Sequence, residues 1–157
     1  MRTIAVVPVS WMLVVAALAL WALPCQADGP FSYYPLTPCR LADTRKPNGP
    51  SGGPILQTGQ DRAFPVQGLC GVPSGAKAVW VNVTAVQPTG EGDLILYASG
   101  TTRPLVSSLH FHADEYALGN GSIVALGTSS MDLAVYAFVA APPGQVHMVL
   151  DVSGYFQ

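Results

Sequence analysis

Residues 78–97, AVWVNVTAVQPTGEGDLILY, alternate with a period of two and admit no helical reading. Val79, Val81, Val83 and Ala85 fall on one face of an extended chain, and Trp80, Asn82, Thr84 and Val86 on the other. β-branched and aromatic side chains dominate, as a half-buried pleated surface favours. Pro88-Thr89-Gly90-Glu91-Gly92 then fixes one φ and supplies two glycines for positive φ, so the chain can reverse. Leu94, Leu96 and Ala98 oppose Ile95 and Tyr97 on the return. The spacing predicts two long strands joined as a hairpin. Residues 145–156 repeat the pattern, with Val146, Met148, Leu150 and Val152 facing in and His147, Val149, Asp151 and Ser153 facing out. No proline interrupts that run, which predicts a strand central to its sheet. Gly154 allows a bend or a close backbone approach there, and Tyr155 and Phe156 are expected to finish the core.

The rest of the chain is punctuated by turns. Residues 28–38 are rich in proline and aromatics, which suits an edge strand or a packed lead-in, and CRLADT (39–44) is a short strand candidate. Residues 46–59 hold four glycines and three prolines in close succession and read as a long loop, either functional or mobile. Short strands are expected at 62–66, 106–111 and 122–126, with 113–121 irregular. In 131–139 apolar residues alternate with apolar residues, so both faces are expected to be buried. About eight strands and no helical period after residue 27 predict an all-β fold, an antiparallel two-sheet β-sandwich. Jelly-roll and immunoglobulin-like connections both remain open.

The N-terminus has a different character. Arg2, an almost uncharged run from Ile4 to Leu23, and the small residues Cys25 and Ala27 match a secretory signal peptide, a helix cleaved after Ala27. Retention of residues 1–27 as an uncleaved membrane anchor is the alternative, because the apolar run approaches bilayer-spanning length. Lipidation at Cys25 is disfavoured by Pro24 before it. Residues 28–157 are then a single domain, long enough for its own core. Six basic residues there face nine acidic ones and are scattered, so no basic stripe exists to neutralise phosphates. Nucleic acid is therefore excluded as a partner. Cys39 and Cys70 form an even pair in a chain routed to an oxidising compartment, which favours a structural disulfide.

Four landmarks occur in order: PCRLADTR (38–45), CGVP (70–73), NVT within AVWVNVTAV (78–86) and DVSGYF (151–156). Together they resemble a family of secreted bacterial β-domains with the pattern PCRLxDTR … CGVP … NVT … DVxGYF. Such domains occur alone or appended to larger surface and exported proteins. The match runs from about Tyr34 to the C-terminus. The resemblance implies export and supports a Cys39–Cys70 bridge, since both cysteines fall inside landmarks. It implies no established activity or ligand. Members often carry Asn where this chain has His110, so a role for that histidine would be particular to this chain.

Several groups could carry chemistry. His110-Phe111-His112 places two imidazoles on one strand face, a spacing that suits zinc or copper, with His147, Asp114 or Glu115 as a third ligand. Three such ligands with an open position could activate water in a small metal-dependent hydrolase. The same pair also fits two exposed polar positions on a half-solvated strand, the preferred reading. Arg40, Asp43, Arg45 and Asp151 could bind a carboxylate or a carbohydrate through bidentate guanidinium donors, or hold the strand end together. Tyr33, Tyr34, Trp80, Tyr116 and Tyr155 are candidates for stacking on sugar rings. Neither Ser107 nor Ser108 has a Gly-x-Ser-x-Gly setting, and no motif calls for a cofactor. The expectation is an exported, non-catalytic module, secreted or at the cell surface, that is structural or binds a surface glycan or another surface protein. A carbohydrate-binding protein and a hydrolase built on His110 and His112 are the alternatives.

Overall fold

The computed structural model describes residues 29–140 and 143–157. The expected signal peptide, residues 1–27, lies outside the described residues. The sandwich is the compact unit Phe31–Gln157. Among the described residues nine strands build it: β1 (Tyr33–Asp43), β2 (Leu56–Gln57), β3 (Gln60–Phe64), β4 (Ala78–Val86), β5 (Gly92–Ala98), β6 (Leu109–Phe111), β7 (Ala117–Ala125), β8 (Leu133–Val139) and β9 (Gln145–Phe156). One sheet has the order β1-β9-β4-β7, with β2 also on β9, and the other β3-β8-β5-β6. All pairings are antiparallel.

The pairs β1–β9, β3–β8, β4–β7 and β5–β6 nest inside one another like the rungs of one long hairpin, rolled so that β9 meets β4 and β8 meets β5. That nesting is a jelly roll; an immunoglobulin sandwich groups its strands differently. β9 is central, as its uninterrupted alternation predicts. Val146, Met148, Leu150 and Val152 are fully buried, as are Val79, Val81 and Val83 of β4. They share one core with Leu94, Leu133, Val135, Phe64 and Phe111 of the other sheet. Each such side chain contributes about 1.5–3 kcal/mol of burial, so this core is the main stabilising term.

The expected hairpin at 78–97 does not form. β4 lies between β9 and β7, while β5 lies between β8 and β6, so residues 87–91 arch from one sheet to the other. Backbone bonding explains the choice. Gln87 N–H donates to Tyr116 C=O (3.0 Å), Thr89 N–H to Gln145 C=O (3.0 Å), and Ala140 N–H to Glu91 C=O (2.8 Å). These groups are satisfied by three other segments rather than by closing a two-strand turn. The arch sets the apolar faces of β4 and β5 against each other across the core. A hairpin would have laid them side by side.

Three further boundaries differ from expectation. β7 begins at Ala117, because all nine residues of β4 give it an unbroken ladder that outweighs the poor strand propensity of Gly119 and Gly121. β6 is only Leu109–Phe111: the Ser108 hydroxyl accepts the Leu96 N–H at 2.9 Å, replacing the next ladder bond. The loop at 46–59 is organised rather than free. Arg62 donates to the carbonyls of Gly49, Gly52, Gly53 and Pro54 at 2.8–2.9 Å, and Leu56 is buried against β9. Phe138 is exposed, so only one face of β8 is fully covered.

Candidate functional site

The outer face of the β1-β9-β4-β7 sheet gathers the exposed rings. A bulge shifts the register so that Trp80 pairs with Gly154 while Val81 pairs with Val152, leaving Ser153 as an extra residue. The slip turns Gly154 and Phe156 to Trp80's side and points Tyr155 towards the core. Phe156 is therefore not an interior residue, contrary to expectation. Tyr33 of β1 lies flat over Gly154, where any Cβ would collide with its ring, and its hydroxyl donates to Ser153 C=O at 3.2 Å. Its centroid is 5.2 Å from Phe156 and 5.9 Å from Trp80, within the range of aromatic pairing. Trp80 is 46% exposed, and its cross-strand neighbour Ile123 is 62% exposed. Tyr34 stacks on Tyr155 at 5.1 Å. Tyr116, by contrast, stands exposed before β7, away from these rings in the ladder.

Beside the rings runs a polar row. Cross-strand register aligns Arg40 with Asp151 and Asp151 with Asn82. Arg40 grips Asp151 bidentately at 2.8 and 3.1 Å. Asp43, 3% exposed, receives Arg45 Nε and Nη2 at 2.8 Å each, the Arg45 backbone N–H at 3.1 Å, and Arg40 Nη1 at 3.5 Å. The side-chain hydrogen bonds from Arg45 hold the Asp43 carboxyl down to about 2, against the opposing effect of burial. The structure thus brings Arg40, Asp43, Arg45 and Asp151 together, as two carboxylates and two guanidiniums that satisfy one another. The Cys39–Cys70 disulfide lies next to this network, with 5.7 Å between Cα atoms.

The histidines divide. His110 and His112 flank the fully buried Phe111, so both rings stand on the exposed side of β6, with centroids 5.1 Å apart. His147 does not join them; it lies on β9 in the other sheet, with Nδ1 3.2 Å from Thr44 Oγ1. Glu115 is engaged elsewhere too, its carboxylate accepting the His112 backbone N–H at 2.9 Å. The carboxylate beside both rings is Glu91, 3.9 Å from each, which sequence reasoning placed only in a turn. Asp93 was also missed. It accepts from Ser107 Oγ at 2.7 Å and contacts His110 Nδ1 at 3.1 Å. Strand-to-strand register could have revealed both residues, but only if β6 had been known to pair with β5.

No protein-family model matches the chain, and no curated protein matches it. Among solved structures it is similar to the Tobacco streak virus coat protein in its C2 crystal form at 2.1 Å. The TM-score is 0.40 with 12% sequence identity, covering 82% of this chain and 89% of that one. The coat protein dimer at 2.4 Å is similar with a TM-score of 0.36 and 11% identity, again covering 82% of this chain and 89% of that one.

Proposed function

We propose that the protein is an exported, non-catalytic binding module that presents the outer face of its β1-β9-β4-β7 sheet to a cell-surface glycan. The observation that carries this reading is the group of exposed Tyr33 and Trp80 with half-buried Phe156, beside the Arg40–Asp151–Asn82 row. A sugar ring has an apolar face and an equatorial belt of hydroxyls, so it is matched by rings lying next to fixed hydrogen-bonding groups. The rings are held by a bulge and a glycine rather than by a mobile loop, so little ordering entropy is lost on binding. The resemblance of the four sequence landmarks to secreted β-domains supports export. The non-catalytic reading is supported by the charges of this face: each guanidinium and carboxylate is engaged with its neighbour, and none is poised as an acid or base.

Glycan-array binding by the intact protein tests the proposal. A defined glycan should bind, and Trp80→Ala should weaken it by about tenfold, since an aromatic contact contributes up to about 1.5 kcal/mol beyond its buried area. Absence of glycan binding, or equal binding by Trp80→Ala, would overturn the reading and leave a surface protein as the partner class to test.

A further inference from the structure

We propose that Glu91, His110 and His112 form a binding site for one divalent transition metal ion of the zinc class. The site is independent of the glycan-facing sheet, because it stands at the β5–β6 end of the other one. Register places the residues. β5 and β6 pair Gly92 with Phe111 and Asp93 with His110, so one step further along the chain Glu91 arrives beside His112. Gly92 lets β5 pass close to β8 at that point, since a Cβ there would collide with the Phe138 carbonyl.

His110 Nε2 lies 3.9 Å from Glu91 Oε1, and His112 Nδ1 lies 3.9 Å from Glu91 Oε2. The three ligand atoms lie within 4.8 Å of one another. Zinc held at about 2.0–2.1 Å sets tetrahedral ligand atoms about 3.3 Å apart, so the widest separation among the three must close by up to roughly 1.5 Å. All three side chains are exposed, and exposed side chains change rotamer readily.

His110 Nδ1 contacts the Asp93 carboxylate at 3.1 Å, which leaves Nε2 as the ring nitrogen directed at Glu91. Asp93 is itself held by Ser107 Oγ at 2.7 Å, which forms the carboxylate–histidine relay that orients metal-bound imidazoles. Glu91 is anchored through its carbonyl by Ala140 N–H, and His112 through its backbone N–H by Glu115. Two imidazole nitrogens and one carboxylate match the donor set of zinc, with a remaining position open to solvent.

Zinc chloride is the probe. After equilibration and gel filtration, elemental analysis of the intact protein should find one zinc per chain, and zinc should raise its melting temperature. Glu91→Gln and His112→Asn should each weaken zinc affinity by at least about tenfold, and Asp93→Asn by about 10–100-fold. His147→Asn should leave it unchanged. Glu91→Gln and His112→Asn, at exposed positions, should not alter the metal-free melting temperature. Absence of zinc on the wild-type protein would overturn the proposal. So would equal uptake by Glu91→Gln, or an equal loss in His147→Asn.

Discussion

Polar side chains are arranged in opposite ways on the two sheets. At the β1–β9 edge Arg40, Asp43, Arg45 and Asp151 close on one another at 2.8–3.5 Å, with Asp43 buried beneath them. At the β5–β6 edge the imidazoles and Glu91 face each other at 3.9 Å without a direct hydrogen bond, and all three are exposed. The first arrangement fixes strands: opposite charges are in direct contact and partly out of water. The second contributes little to folding and retains its valence. The lengths of the strands agree with this division. β9 and β1 run to twelve and eleven residues, whereas β6 has three.

If the β1-β9-β4-β7 sheet carries the stability, deleting residues 151–157 should have the largest effect. The deletion removes the paired end of β9 from both β1 and β4, together with the fully buried Val152 and the core-packed Tyr155. Losing one buried aromatic alone costs about 3–5 kcal/mol, a large part of a small domain's stability. The truncated protein should show no cooperative melt by circular dichroism and should aggregate through its open edge. A near-native midpoint would show that β9 is dispensable.

Replacing Cys39 and Cys70 by Ser should come next. The bridge spans a sequence separation of 31 residues, and its loss should lower the urea unfolding free energy by roughly 3–4 kcal/mol. In the oxidised protein neither thiol should be alkylated before reduction. Labelling of both would contradict the bridge.

Asp43→Asn should cost about 2 kcal/mol at neutral pH, judged from chemical denaturation. The sign follows from the depressed carboxyl. Asp43 is held at about 2 in the folded state, below its ordinary value, so its contribution is present above pH 4 and fades as pH falls towards 2. The Asn variant should lack that segment of acid destabilisation. An unchanged acid limb would assign it to other carboxylates.

The smallest effect sharpens the contrast. His110→Ala combined with His112→Ala, measured without metal, should change stability by less than about 0.5 kcal/mol, because both side chains are exposed. A loss of several kcal/mol would show that the cluster holds the β5–β6 edge together and would erase the distinction between the two sheets.

Much of this architecture was legible in the residues. The inward sets of β4 and β9, the edge character of β1, the pairing of Cys39 with Cys70, and the shared face of His110 and His112 all follow from two-residue periodicity, proline placement and cysteine count. Asp151 was recognisable as a partner for an arginine, and the structure assigns it to Arg40. Arg62 was not legible as the centre of a loop, because its four acceptors are backbone carbonyls that no side-chain pattern advertises.

What the sequence determined by itself was local: which side chains point the same way, and where the chain must turn. Alternation is a property of one strand and is the same whether its neighbour in sequence lies beside it or across the core. Only the tertiary structure decided that residues 87–91 arch between sheets, because their backbone partners, Tyr116, Gln145 and Ala140, come from distant segments. That one decision carries Glu91 to His110 and His112 and leaves His147 on the opposite sheet. The bulge at Ser153 likewise depends on how β9 registers against β4, and it moves Phe156 from the expected core to the exposed aromatic face. Register and sheet membership are relations between strands, and a single strand's pattern does not contain them.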